Sequence, residues 1–172
     1  MNDFIVTLAS ITTEKKIFPF KITDEFFEVF TFSDIKHANI SAIATLFKDH
    51  ENISLNLMLK GEINQLPCDI CTNELSVTIS AETNLIIKKT DSPEDLIYSD
   101  EIFWIKKNAS KIDLKHLIFE LIILNTPKKR KHPLDKNGKS ACDQEMIELI
   151  NKYTQKENKS SDPRWDTLKS LK

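Results

Sequence analysis

The sequence predicts an α+β fold: an antiparallel β-sheet, able to close into a barrel-like form, with several mostly C-terminal helices. Three observations predict it. Apolar and polar residues alternate over two long stretches in the middle of the chain, and sustained helical spacing begins only after Ile112. Gly occurs only twice, at Gly61 and Gly138, so no Gly-x-Gly-x-x-Gly or Walker loop exists, which argues against nucleotide-binding α/β folds.

The first alternating stretch places Ile53, Leu55, Leu57, Leu59 and Ile63 on one parity, with Ser54, Asn56, Lys60 and Glu62 between them. Period two marks a strand with one buried face. The second carries Leu75, Val77, Ile79, Ala81, Leu85 and Ile87 on one parity. Before both, Asn39–Lys48 keeps Ile40, Ala42, Ala44 and Leu46 on one parity, and Lys48–Asn52 reads as a turn. These three strands form an antiparallel meander, and Phe4–Leu8 is a candidate fourth.

Asp24–Phe30 is a short amphipathic segment with Thr23 or Asp24 as N-cap. Asp91–Asp100 is acidic, contains Pro93 and reads as a loop, and Ile102–Ile105 reads as a strand. Asp113 can cap a helix in which Leu114, Leu117, Ile118, Leu121 and Ile122 keep helical spacing, with Pro127 just past its end. Lys128–Ala141 reads as a loop and Asp143–Tyr153 as a second long helix. Asp162-Pro163-Arg164-Trp165 has the Asp N-cap and Pro N1 of a last short helix. The expected organisation is one α+β domain over 1–153 that contains the cysteine turn, then a polar linker and short helix over 154–172.

Of the 172 residues, 40 % are hydrophobic and 29 % charged, a soluble globular composition rather than a disordered one. No apolar run reaches the roughly 18–20 residues that span a bilayer. Met1-Asn2-Asp3-Phe4 has neither a basic nor an apolar leader region. The expected compartment is the cytoplasm, with no membrane partner, and three cysteines suit a reducing environment.

Cys68 and Cys71 lie between two alternating strands. Two intervening residues let both sulfurs face one point from a tight turn, which suits tetrahedral zinc. A full site needs two more ligands, and Cys142 and His132 are the candidates because they share one loop region. The expected cofactor is thus one structural Zn²⁺ on Cys68, Cys71, His132 and Cys142. Two other readings stay open: reduced cysteines packed in a turn, and a redox pair. A redox pair is normally set at a helix N-terminus, which lowers the thiol pKa, whereas a strand follows Cys71.

Other chemistry is sparse. His37 and His50 fall in expected turns, His116 on a helix surface, and no His-Glu-x-x-His or Gly-x-Ser-x-Gly motif exists. No catalytic residue is assigned and no enzyme activity is expected. Charge is uneven: residues 1–126 carry 12 Lys/Arg against 19 Asp/Glu, and residues 127–172 carry 12 against 7. Lys128, Lys129, Arg130 and Lys131 are the candidate RNA contacts, since consecutive cations bind phosphates without reading bases. A solvated loop is the alternative.

In order, Cys68-x-x-Cys71, Ile112-Asp113-Leu114 leading to the helix with Glu120, Pro127, His132, Cys142, and Asp162-Pro163-Arg164-Trp165 with Leu168 resemble the YceD family. Phe20-Lys21-Ile22 with Asp24-Glu25-Phe26-Phe27 resembles its Bacteroidota version. The gap from His132 to Cys142 is longer than the family's. Asp69-Ile70 stand where a basic residue commonly precedes the second cysteine. The resemblance implies a non-enzymatic factor for 23S ribosomal RNA accumulation or processing and large-subunit assembly. Its implied partners are ribosomal RNA or an assembly intermediate, and ribosomal proteins. The alternative from another class is a zinc-stabilised protein-interaction module without RNA contact.

Overall fold

The computed structural model describes residues 4–92, 101–134, 136 and 138–154. Along the chain run β1 (Ile5–Thr7), a 3-10 turn (Leu8–Ser10), β2 (Lys16–Ile22), α1 (Asp24–Phe27), β3 (His37–Asp49), β4 (Asn52–Pro67), β5 (Glu74–Thr90), β6 (Ile102–Lys106), β7 (Lys111–Asp113), α2 (Lys115–Asn125) and α3 (Gln144–Thr154). The fold is α+β, as expected. The acidic loop lies, from Pro93 to Asp100, outside the described residues, as do the linker from Gln155 and the helix opened by Asp162.

Chain contacts gather into two compact units. Unit 1 comprises Met1–Leu66 and Glu74–Arg130, and unit 2 comprises Pro67–Asn73 and Lys131–Lys172.

Unit 1 is built on a five-stranded sheet of order β2-β3-β4-β5-β6, beside a two-stranded β1-β7 ribbon. The meander is present, with β3 and β4 antiparallel over their full length from His37↔Asn64 to Asp49↔Asn52. The turn between them uses His50 at φ 53°, a left-handed conformation that histidine tolerates better than β-branched residues. Alternation sets the buried face: Ile40, Ala42, Ala44 and Leu46 of β3 and Leu55, Leu57 and Leu59 of β4 are all buried. Gln65, at φ 55°, shifts the parity of β4, so Leu66 rather than Gln65 turns inward. Gly61 faces Ile40 across the ladder, and a Cβ there would collide with the Asn39 carbonyl oxygen and the Ile40 Cα. That close approach requires glycine.

Two details differ from expectation. The sheet is open rather than barrel-like, ending at β2 and β6, and β6 pairs parallel to β5, from Ile86↔Ile102 to Thr90↔Lys106. A tight hairpin cannot join a parallel pair, and β5 and β6 are separated by eleven residues in the sequence. Strand β2 was not foreseen. Its apolar residues Ile17, Phe18 and Phe20 straddle Pro19, which breaks the pattern but is tolerated on this edge strand.

Helices cover the apolar face, with α2 against β5 and α1 against β3. An aromatic cluster forms there: Phe30 stacks on Phe119 with centroids 3.9 Å apart, and Phe26 meets Phe4 and Phe27 edge-on. Leu114, not the expected Asp113, holds the N-cap place of α2 and makes no side-chain cap bond, while Asp113 just before it accepts the Lys115 N–H at 2.8 Å. In α1 the N-cap is one of the two residues expected. Thr23 holds the N-cap place without a side-chain bond, while Asp24 accepts the Ala38 N–H at 3.0 Å and bonds His37 at 2.8 Å. Asp24 thus ties α1 to the start of β3. His37, expected in a solvated turn, is its hydrogen-bond partner.

Unit 2 has a different internal economy. Among its described residues the only buried side chains are Cys68, Cys71 and Cys142. Asp143 immediately precedes helix α3 and its carboxylate accepts the Glu145 N–H at 2.8 Å, and none of the helix residues is buried.

Candidate metal centre

The turn that carries the first two cysteines is closed by its own backbone. The Cys68 N–H donates to the Asn73 carbonyl at 3.0 Å and the Thr72 N–H to the Cys68 carbonyl at 2.9 Å. Thr72 takes φ 61°, which brings the chain round into β5. The Ile70 N–H points at Cys68 Sγ, 3.4 Å away. A Cys-x-x-Cys turn of this kind directs both sulfurs to one side and supplies an N–H donor to a thiolate.

The other two ligands arrive through a closed loop. The Ala141 N–H donates to the Pro133 carbonyl at 3.3 Å, and Leu134 and Ser140 form an antiparallel bridge. Gly138, at φ 78°, lies within the loop. His132 and Cys142 immediately flank that closure. The loop absorbs the long sequence gap between them and delivers both side chains to one place. The Ser140 hydroxyl accepts the Cys142 N–H at 3.2 Å and orients the last cysteine.

All four ligand atoms lie within 4.8 Å of one another. Zinc held in a tetrahedron at about 2.3 Å by sulfur and about 2.0 Å by nitrogen requires S···S edges of about 3.8 Å and S···N edges of about 3.5 Å. Cys68 Sγ is 3.6 Å from Cys142 Sγ. His132 Nδ1 is 3.5 Å from Cys71 Sγ and 3.6 Å from Cys142 Sγ. These three separations match tetrahedral edges, and the Cys68–Cys142 sulfurs are far beyond the roughly 2.0 Å of a disulfide. All three cysteines are free thiols.

Electrostatics favour the ligating form. Burial by itself pushes the Cys68 thiol up. The backbone N–H groups of Cys71, Ile70 and His132, and the hydrogen bond with Cys142, outweigh it and bring the thiol down to about 6. The thiolate is the form that binds metal. Three soft sulfurs and one imidazole are a zinc-type donor set. The structure thus assembles Cys68, Cys71, His132 and Cys142 into a site compatible with zinc.

Of the basic run, Lys128, Lys129 and Lys131 are exposed and Arg130 is half-buried. His116 sits on the α2 surface, edge-on to Phe30 at 5.4 Å. The Ile70 N–H and the Ser140 hydroxyl were not foreseen as supports. A Ser two residues before a ligand cysteine is the only sequence signal that could have suggested the second.

Fold and site together define an α+β protein with a three-cysteine, one-histidine cluster compatible with a metal ion. Residues 55–172 match the family model of the large ribosomal RNA subunit accumulation protein YceD. The match covers well over half of the chain and includes all four cluster residues, and the chain belongs to the YceD family. Comparison with curated proteins and with solved structures gives no match. Among the described residues no helix is long and apolar enough to cross a membrane.

Proposed function

We propose that this protein is a non-enzymatic, cytoplasmic factor that promotes processing of 23S ribosomal RNA and assembly of the large ribosomal subunit by binding. Family membership carries the reading, because the family is defined by large ribosomal RNA subunit accumulation. The partner is ribosomal RNA or an assembly intermediate, and ribosomal proteins are within reach of such a factor. Lys128, Lys129, Arg130 and Lys131 contribute phosphate contacts. Depleting the protein and profiling ribosomal subunits tests it. A loss of mature 23S RNA and of large subunits is expected, and unchanged levels of both would overturn it.

In this reading zinc bound by Cys68, Cys71, His132 and Cys142 is structural and supplies the cross-link that an apolar core would supply elsewhere. Three thiolates and one imidazole would fill the four positions of a structural zinc.

A second reading is a zinc-stabilised protein-interaction module without RNA contact. One observation favours it: Leu149, Ile150 and Tyr153 on α3 are 46 %, 42 % and 64 % exposed. Replacing Lys128, Lys129 and Lys131 by Gln separates the two. An RNA-binding factor loses salt-sensitive RNA association, and an interaction module does not.

A further inference from the structure

Unit 1 carries a second basic surface that the sequence conceals. Residues 1–126 are net acidic, with 12 Lys/Arg against 19 Asp/Glu. Yet four of those lysines, from three strands widely separated in sequence, meet at one end of the sheet. Lys48, near the end of β3, and Lys89, near the end of β5, line a groove of about 540 Å³ with Thr7 and Ser110. Lys106 and Lys107, at the end of β6, line a recess of about 450 Å³ with Asn108.

Backbone pairing makes the two hollows neighbours. Thr90, next to Lys89, pairs with Lys106, and its carbonyl accepts the Lys107 N–H at 2.8 Å. Ala109, which lines the first groove, donates its N–H to the Lys106 carbonyl at 2.9 Å. The parallel placement of β6 therefore creates the cluster.

The acidic residues lining the two hollows are Glu51 and Asp91. Asp91 meets Lys107 at 3.4 Å with both side chains largely exposed, a pair that solvent screens to little net value. Among the described residues no ion pair holds Lys48, Lys89 or Lys106. Four exposed ammonium groups around two open hollows form a surface for polyanions.

The chemistry favours a phosphate backbone over an acidic protein. Protein interfaces are depleted in Lys and centre on aromatic or Arg anchors. None of the exposed large apolar residues lines these hollows, and every cation here is Lys. Lysine is a mobile point charge that suits phosphate and carries no base specificity.

We propose that this end of unit 1 is a phosphate-contact surface for RNA, in which Lys48, Lys89, Lys106 and Lys107 neutralise phosphates of one RNA segment. It rests on the RNA-association reading above and adds a site remote in sequence from Lys128–Lys131.

The test titrates the full-length, zinc-loaded protein with a fluorescent random-sequence RNA hairpin over a range of salt concentrations. Replacing all four lysines by Gln should reduce the slope of log affinity against log salt by about 3 to 4, at about 0.9 per duplex phosphate contact. A control carrying Lys16→Gln, Lys21→Gln, Lys36→Gln and Lys60→Gln has the same net charge and should keep the wild-type slope. Equal losses in both variants would reduce the effect to bulk charge and overturn the proposal. An unchanged slope in the first variant, with loss on replacing Lys128, Lys129 and Lys131, would overturn this surface and leave the RNA reading standing. Wild-type protein that binds no RNA would overturn both. If circular dichroism shows the fourfold variant misfolded, the Lys106→Gln, Lys107→Gln pair replaces it, with an expected slope change of about 2.

Discussion

In the zinc-bound form proposed above, stripping the metal should unfold unit 2 and leave the sheet of unit 1 folded. Its only buried side chains among the described residues are Cys68, Cys71 and Cys142. Ordering the seven residues Pro67–Asn73 costs about 7–14 kcal/mol of backbone entropy at about 1–2 kcal/mol each. Burying three cysteines recovers at most about 5–9 kcal/mol, even at the value for larger apolar side chains. The loop from His132 to Cys142 and helix α3 add further ordering cost. A structural zinc supplies about 10–16 kcal/mol at neutral pH, as much as the whole stability of a small domain. The purified chain should therefore hold close to one zinc. Amide hydrogen exchange, measured before and after chelation, gives the residue-level readout. Protection at Cys68, Thr72 and Ala141, whose N–H groups close the turn and the loop, should fall to that of an unstructured chain. Protection at Ala42 and Leu57 in the sheet should not change. Protection retained at the first three amides without metal, or a purified chain holding no zinc, would refute the reasoning.

Three other outcomes follow from unit 1. Gly61→Ala should destabilise the sheet by about 1–3 kcal/mol or more in denaturant melts, because the added methyl meets β3 backbone that cannot rotate away. Phe30→Ala, which removes the ring stacked on Phe119, should cost about 3–5 kcal/mol by the same measurement. Asp24→Ala should lower the melting temperature modestly at neutral pH, by less than about 1 kcal/mol in stability because the pair with His37 is about half exposed. The bonds from His37 and Ala38 hold the Asp24 carboxyl below its usual value of 3.8. Its contribution is thus present above that value and lost as pH falls through the folded pKa. Wild type and variant should converge in thermal melts toward pH 2, and a constant difference across the acid range would contradict it.

Much of the site was legible before the fold. Cys-x-x-Cys between two alternating strands specifies a turn that faces both sulfurs one way, and the turn has that form. Cys142 and His132 were legible only as donor types in one loop region, and their ten-residue spacing carries no geometry of its own. The Pro133–Ala141 closure and the Leu134–Ser140 bridge turn that spacing into adjacency. In the sheet, long runs of period-two patterning made β4 and β5 plain. Strand β2, seven residues around a proline, was invisible because an edge strand needs no unbroken pattern.

The sequence by itself determined the elements whose information is local: the alternating strands, the two long helices and the Cys68–Cys71 turn. Only the tertiary structure decided what distant segments do together. It set β6 parallel beside β5, left the sheet open, gathered Lys48, Lys89, Lys106 and Lys107 at one end, and brought Cys142 to 3.6 Å from Cys68. Periodicity and capping act over a few residues, whereas contacts across some 20 to 75 residues depend on loop closure and burial, which no local pattern encodes.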